Sequence, residues 1–130
     1  MAFKLGPRSL LNLRGVHPDL VRVVKRAISI SQIDFTVIEG RRTLARQKEL
    51  FAKGATRTMR SRHIHGFAVD TAPYVGGTIR WDWPLFDHIE TAMKEAARLE
   101  NVSVTWGGDW RSFKDGPHWE LPHAKYPDPK

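Results

Sequence analysis

Apolar residues fall into two helical stripes and several short runs along this chain. In residues 17–30, Leu20, Val23, Val24, Ala27 and Ile28 recur at three- and four-residue steps, the spacing that lines one face of an α-helix. Pro18 stands at the first helical position, where a missing N–H does no harm. In residues 84–100, Phe86, Ile89, Met93, Ala96, Ala97 and Leu99 form a second stripe, again opened by a proline. A shorter helix is expected from about Thr43 to Lys53, halted by Gly54. Its apolar face is thin, with only Leu44, Leu50 and Phe51. Residues 34–38, 67–72, 102–106 and 118–121 are rich in β-branched and aromatic residues, mostly ended by glycine or proline, and read as strands. Helices and strands mix without a repeating βαβ rhythm. The expected fold class is therefore α+β, a small antiparallel sheet flanked by helices.

The chain's 130 residues are one domain's worth, with a proline-rich tail over residues 122–130 expected at the surface. The absence of cysteine excludes a disulfide framework, a thiolate metal cluster and a cysteine nucleophile. No apolar run approaches the ~20 residues of a membrane helix, so no stable membrane insertion is expected. The N-terminal stretch lacks the apolar core of a secretory signal, which predicts synthesis in the cytoplasm.

Charge is unevenly spread. Residues 1–62 carry fourteen basic and four acidic side chains, whereas residues 63–130 carry seven basic and ten acidic ones. Eight of the basic groups lie between Arg41 and Arg62, with Glu49 the one acid among them. Such a field attracts polyanions, among them nucleic acid, anionic lipid and the acidic polymers of a bacterial envelope. No helix-turn-helix, RNP or zinc-finger pattern accompanies it, so nucleic acid is not the expected partner.

Six histidines in a chain without cysteine turn attention to imidazole and carboxylate ligands. The densest cluster is Ser61-Arg-His-Ile-His-Gly-Phe-Ala-Val-Asp70, and a second candidate segment holds Asp115, His118 and Glu120. Catalytic zinc takes three protein N or O ligands and keeps a fourth position open. His63, Asp70 and His118 would supply three, from segments that meet only in the fold. By spacing alone His63 and His65 are a rival pair, because alternate residues of an extended segment share a face. Glu120, two residues after His118, is by the same rule a rival to Asp115 as a catalytic base.

The pattern Ser-x-His-x-x-Gly-x-Ala-x-Asp, met by Ser61, His63, Gly66, Ala68 and Asp70, followed by Asp-x-x-His at Asp115 and His118, resembles the zinc-dependent peptidoglycan peptidases. That family groups D-Ala-D-Ala carboxypeptidases and dipeptidases with L-alanyl-D-glutamate endopeptidases. A Gly-x-Arg-Thr motif after a strand is met by Gly40, Arg42 and Thr43, with Gln47 four residues on. The resemblance implies one Zn²⁺ per chain held by His63, Asp70 and His118, with Asp115 as general base. It implies Arg42 as a catalytic or substrate contact and Ser61 as a substrate contact or a brace for the His63 loop. It places His65 at a variable position and leaves Glu120 the part of orienting an imidazole.

Short members of this kind resemble phage endolysins. That likeness implies cleavage of the L-Ala-D-Glu bond of bacterial peptidoglycan during host cell lysis, by a monomer made in the host cytoplasm that reaches the wall after membrane permeabilisation. Release of terminal D-alanine is the alternative activity. Trp106, Trp110 and Trp119 bracket the second motif and are expected either to wall the cleft or to pack the core.

Overall fold

The computed structural model describes residues 2–56 and 61–129. Two helices form one layer: α2 (Pro18–Ile30) packs along α4 (Trp83–Glu100). The stripes read from the sequence are the faces that meet, with Leu20, Val23, Val24 and Ala27 buried against a core that includes Phe86, Ile89, Met93 and Ala96. Each of the larger ones, the Leu, Val, Ile, Phe and Met side chains, is worth about 1.5–3 kcal/mol when fully buried. His17 caps α2, its Nδ1 accepting the Asp19 amide.

The second layer is an antiparallel sheet in the order β1 (Phe35–Glu39), β2 (Ala68–Val75), β5 (His118–Glu120), β4 (Thr105–Trp106). The short strand β3 (Thr78–Ile79) folds back on β2 through Gly76 and Gly77. All ladders are antiparallel, and the expected α+β class is the observed one. β2 runs beyond the expected Ala72 to Val75, and β4 is only the end of the expected 102–106 run.

Helix α3 (Leu44–Ala52) is capped by Thr43, whose hydroxyl accepts the Arg46 amide. Hydropathy gave no warning of α1 (Pro7–Asn12), because Leu10 and Leu11 are exposed and its buried residue is Ser9. The Ser9 hydroxyl accepts the Val37 amide, and Asn12 Nδ2 donates to the Val37 carbonyl, so α1 is stitched to β1 by polar contacts. Among the described residues, no helix is long and apolar enough to cross a membrane.

Candidate metal centre

Sheet register brings the site together. On β2 and β5, Asp70 is paired with His118, and on β1 Glu39 is paired with Asp70 across an irregularity after Val37. Directly paired residues of neighbouring strands share a face, so Glu39, Asp70 and His118 form one row across the sheet. His63 arrives from a short 3₁₀ turn, Arg62–His65. The Ser61 hydroxyl starts that turn by accepting the His63 amide, and Gly66 ends it at φ 76°, a left-handed conformation that favours glycine. A Cβ at Gly66 would also collide with the Gly15 carbonyl, so the turn sits flush against the α1–α2 connection.

Nε2 of His63 and Nδ1 of His118 each lie 3.3 Å from Asp70 Oδ1. The three ligand atoms are all within 4.8 Å of one another. Oδ1 is buried and makes no hydrogen bond, which is costly for a carboxylate oxygen unless a cation satisfies it. The far nitrogens of both rings are engaged: His63 Nδ1 lies 2.8 Å from the Gly40 carbonyl, and His118 Nε2 lies 2.8 Å from Glu120 Oε1. An acceptor on the far nitrogen fixes the proton there and turns the near lone pair toward the centre. The three residues could therefore hold a metal ion, two neutral imidazoles and one carboxylate facing one point.

Electrostatics agree with that arrangement. Burial opposes ionisation of Asp70, but the two histidines outweigh it and hold its carboxyl well below the usual range. Burial likewise opposes the charged form of His118, yet Asp70 and Glu120 raise it to about 9. Asp115 is pushed up, first by burial and then by the negative charge of Asp70.

The expected residues are placed unevenly. His65 is exposed, beside Phe67, and outside the cluster. Asp115 is held near His118 by the turn between them: its amide donates to the Gly107 carbonyl, and its own carbonyl accepts the His118 amide. A Cβ at Gly107 would collide with the Asp115 backbone and crowd His118, so only glycine lets the two segments approach.

Arg42 is largely buried and already engaged. Its Nε donates to Glu39 at 2.5 Å and its Nη1 to Gln47 at 2.7 Å, with Ser61 Oγ at 3.4 Å. Ser61 thus braces both Arg42 and the His63 turn. Trp106 and Trp119 stack in the core, their ring centres 5.7 Å apart, while Trp110 lies 5.1 Å from the His118 ring. Arg57 and Arg60, part of the basic stretch, lie outside the described residues.

Glu39 is the acid at the strand end that Arg42 could be expected to pair with, whereas two contributors were not legible in the sequence: the Gly40 carbonyl and Arg62. Arg62 is buried, donates to Asp128 and to the Leu121 and Tyr126 carbonyls, and approaches Glu120 Oε2 at 3.9 Å. It ties the tail to the residue preceding a candidate ligand.

The family model of the phage L-alanyl-D-glutamate peptidases matches residues 1–122. The chain belongs to this family. The L-alanyl-D-glutamate peptidase of Escherichia phage T5 is 35% identical over 130 residues, covering 97% of this chain and 94% of the phage protein. The Bacillus subtilis peptidoglycan L-alanyl-D-glutamate endopeptidase CwlK is 32% identical over 112 residues, 75% of this chain and 66% of that protein. Among solved structures, the Serratia marcescens L-Ala D-Glu endopeptidase ChiX superposes with a TM-score of 0.92 at 44% identity, covering 98% of this chain and 96% of that one. For this phage-type peptidase the family likeness first carried by the Ser61–Asp70, Asp115–His118 and Gly40–Thr43 motifs extends over most of the sequence.

Proposed function

We propose that the protein is a zinc L-alanyl-D-glutamate endopeptidase that hydrolyses the stem peptides of bacterial peptidoglycan, as a phage endolysin does. The observation that carries the reading is the His63–Asp70–His118 cluster with its orphaned Asp70 oxygen, in a chain of this family. Ligand atoms of a tetrahedral zinc, at bonds near 2.0–2.1 Å, stand roughly 3.3–3.4 Å apart, and both spacings about Asp70 are 3.3 Å. The donor set of two nitrogens and one oxygen suits zinc and leaves a fourth position open.

When bound there, zinc supplies Lewis acidity toward the peptide carbonyl and acidifies the attacking water. Asp115 would accept a proton from the attacking water and return it to the leaving amine, and its raised pKa suits both tasks. Gly40 and Glu120 keep the rings of His63 and His118 in one tautomer. Arg42, fixed by Glu39 and Gln47, presents the rest of its guanidinium to a developing oxyanion or a substrate carboxylate. Trp110 shields one side of His118.

The deciding experiment is mass spectrometry of purified peptidoglycan after digestion. A new D-glutamyl amino terminus supports the reading, whereas release of D-alanine alone supports the carboxypeptidase alternative. Zinc, measured in the purified protein, should be lost together with activity in chelator.

A further inference from the structure

A groove of about 630 Å³ opens beside the Gly40–Thr43 turn, lined by Arg14, Arg41, Arg42, Thr43, Leu44 and Ile64. Three of its six lining residues are arginines and none is acidic. Arg42 is neutralised by Glu39. Arg14 and Arg41 are exposed, and among the described residues neither guanidinium has a hydrogen-bond or acidic partner. The fold brings them together from segments far apart in sequence. Arg14 sits in the turn after α1, where its amide closes on the Leu11 carbonyl. Arg41 lies over the next residue, Gly15: a Cβ there would stand 2.9 Å from Arg41 Cδ, at a backbone φ of +79°.

The groove also borders the candidate metal centre. The Arg42 amide donates to the His63 carbonyl at 2.8 Å, and Ile64 is the residue after His63. Two like charges held together without a counter-charge of their own repel one another until an anion enters. Arginine's planar fork matches a carboxylate with two parallel hydrogen bonds.

We propose that Arg14 and Arg41 form a subsite that binds a carboxylate of the substrate peptide next to the reacting bond. The inference rests on the endopeptidase reading, which supplies two such groups. One is the free α-carboxylate of the D-glutamyl residue, and the other is a carboxylate of the diaminopimelyl residue beyond it. Leu44 and Ile64 give the groove an apolar side for the aliphatic stem between charges.

The test uses three soluble peptides, L-Ala-γ-D-Glu-diaminopimelate and two analogues with one or the other residue's carboxylate replaced by carboxamide. Wild type, Arg14→Gln, Arg41→Gln and the double variant are compared, with zinc content and melting temperature recorded for each. The double variant should raise KM for the acidic peptide by about tenfold, the scale of losing a charge-assisted bond, with the loss falling on KM rather than on kcat. One amide peptide should be poor for wild type by the same factor and show no further loss in the double variant, and which one it is identifies the carboxylate held. Equal KM for all proteins on the acidic peptide overturns the subsite. So does a loss that is the same on all three peptides. The bond itself is checked on wild type alone: cleavage elsewhere than before D-glutamate overturns the functional reading, while correct cleavage with indifferent variants overturns only the groove.

Discussion

Asp70 and His118 are direct partners across two antiparallel strands, and Nδ1 of the imidazole lies 3.3 Å from Oδ1 of the carboxylate. Their juxtaposition is a property of strand register. A slip of one residue would turn one side chain to the opposite face of the sheet, so the stability of the β2–β5 ladder and the integrity of the site are the same quantity. His63 lies outside that ladder: a 3₁₀ turn, its backbone bonds to Ser61 and Arg42, and its ring's contact with the Gly40 carbonyl set its position.

Ligand identity is tested by metal content. His118→Ala should lower zinc occupancy sharply, because one of three protein donors is gone. His65→Ala should leave it near wild type, since that ring is exposed and apart from the cluster. Elemental analysis after dialysis against limiting zinc measures both. An emptied site in His65→Ala with a full one in Asp70→Ala would refute the assignment.

The two carboxylates near His118 should separate by kinetics. Asp115→Asn keeps shape but cannot take a proton at neutral pH, so it should fold and hold zinc while turnover drops by ~10²–10⁴-fold. Glu120→Gln removes an anionic acceptor from His118 Nε2 and should cost less, about 10–100-fold, part of it as weaker zinc binding. Both need assay at matched, measured zinc. A dead Glu120→Gln with zinc in place beside an active Asp115→Asn would reverse the roles.

Gly40 is packed against the end of α1, where an added Cβ would collide with the Asn12 carbonyl oxygen and crowd Val16. Gly40→Ala should destabilise by about 1–3 kcal/mol, the cost of overpacking, and should weaken zinc binding by shifting the acceptor of His63 Nδ1. Gly6→Ala, with open space around it, is the control. Denaturant melts and zinc titration read the two effects, and a Gly40→Ala protein as stable as Gly6→Ala would show that the α1 contact yields freely.

The tail offers a pH-dependent contact outside the metal-ligand cluster. Tyr126 donates its hydroxyl to Asp19 at 2.6 Å. That bond is the main reason the Asp19 carboxyl lies below its usual range, with Arg22 assisting against partial burial. Tyr126→Phe should cost about 1 kcal/mol near neutral pH, a low figure for a bond to a partly exposed charge. A carboxyl depressed in the folded state contributes stability above its unfolded pKa and loses it as pH falls through the folded value. The difference between wild type and variant should therefore shrink below about pH 4. A gap that persists at pH 2 would assign the effect to packing.

Periodicity predicted both long helices because their buried faces are made of Leu, Val, Ile, Phe and Met at helical spacing. It missed α1 because polar atoms, Ser9 and Asn12, make that helix's contacts with β1. The candidate ligand set, the His63–Asp70–His118 cluster, was legible only through the combined motifs. Spacing alone left His65 open beside His63, and the 3₁₀ turn that separates them is a local geometry which two neighbouring histidines do not encode. A strand-end acid was a legible partner for Arg42, but its place opposite Asp70 was not: the irregularity after Val37 brings Glu39 there, and such an irregularity leaves no mark in hydropathy. Arg42 and Gln47 were visible as a motif, but their engagement with each other and with Glu39 needed the fold.

The buried guanidinium of Arg62 makes the tail after β5 a strut. Its three bonds to Leu121, Tyr126 and Asp128 span the final turn, and its Cζ rests 4.5 Å from the centre of the Phe67 ring. Mechanical load applied beyond Asp128, by a fused cargo or a surface tether, therefore passes to the residue that precedes His63 and neighbours Glu120. A fusion engineered at that end needs slack in its linker, and its first sign of trouble should be a displaced His63 turn rather than a lower yield of folded protein.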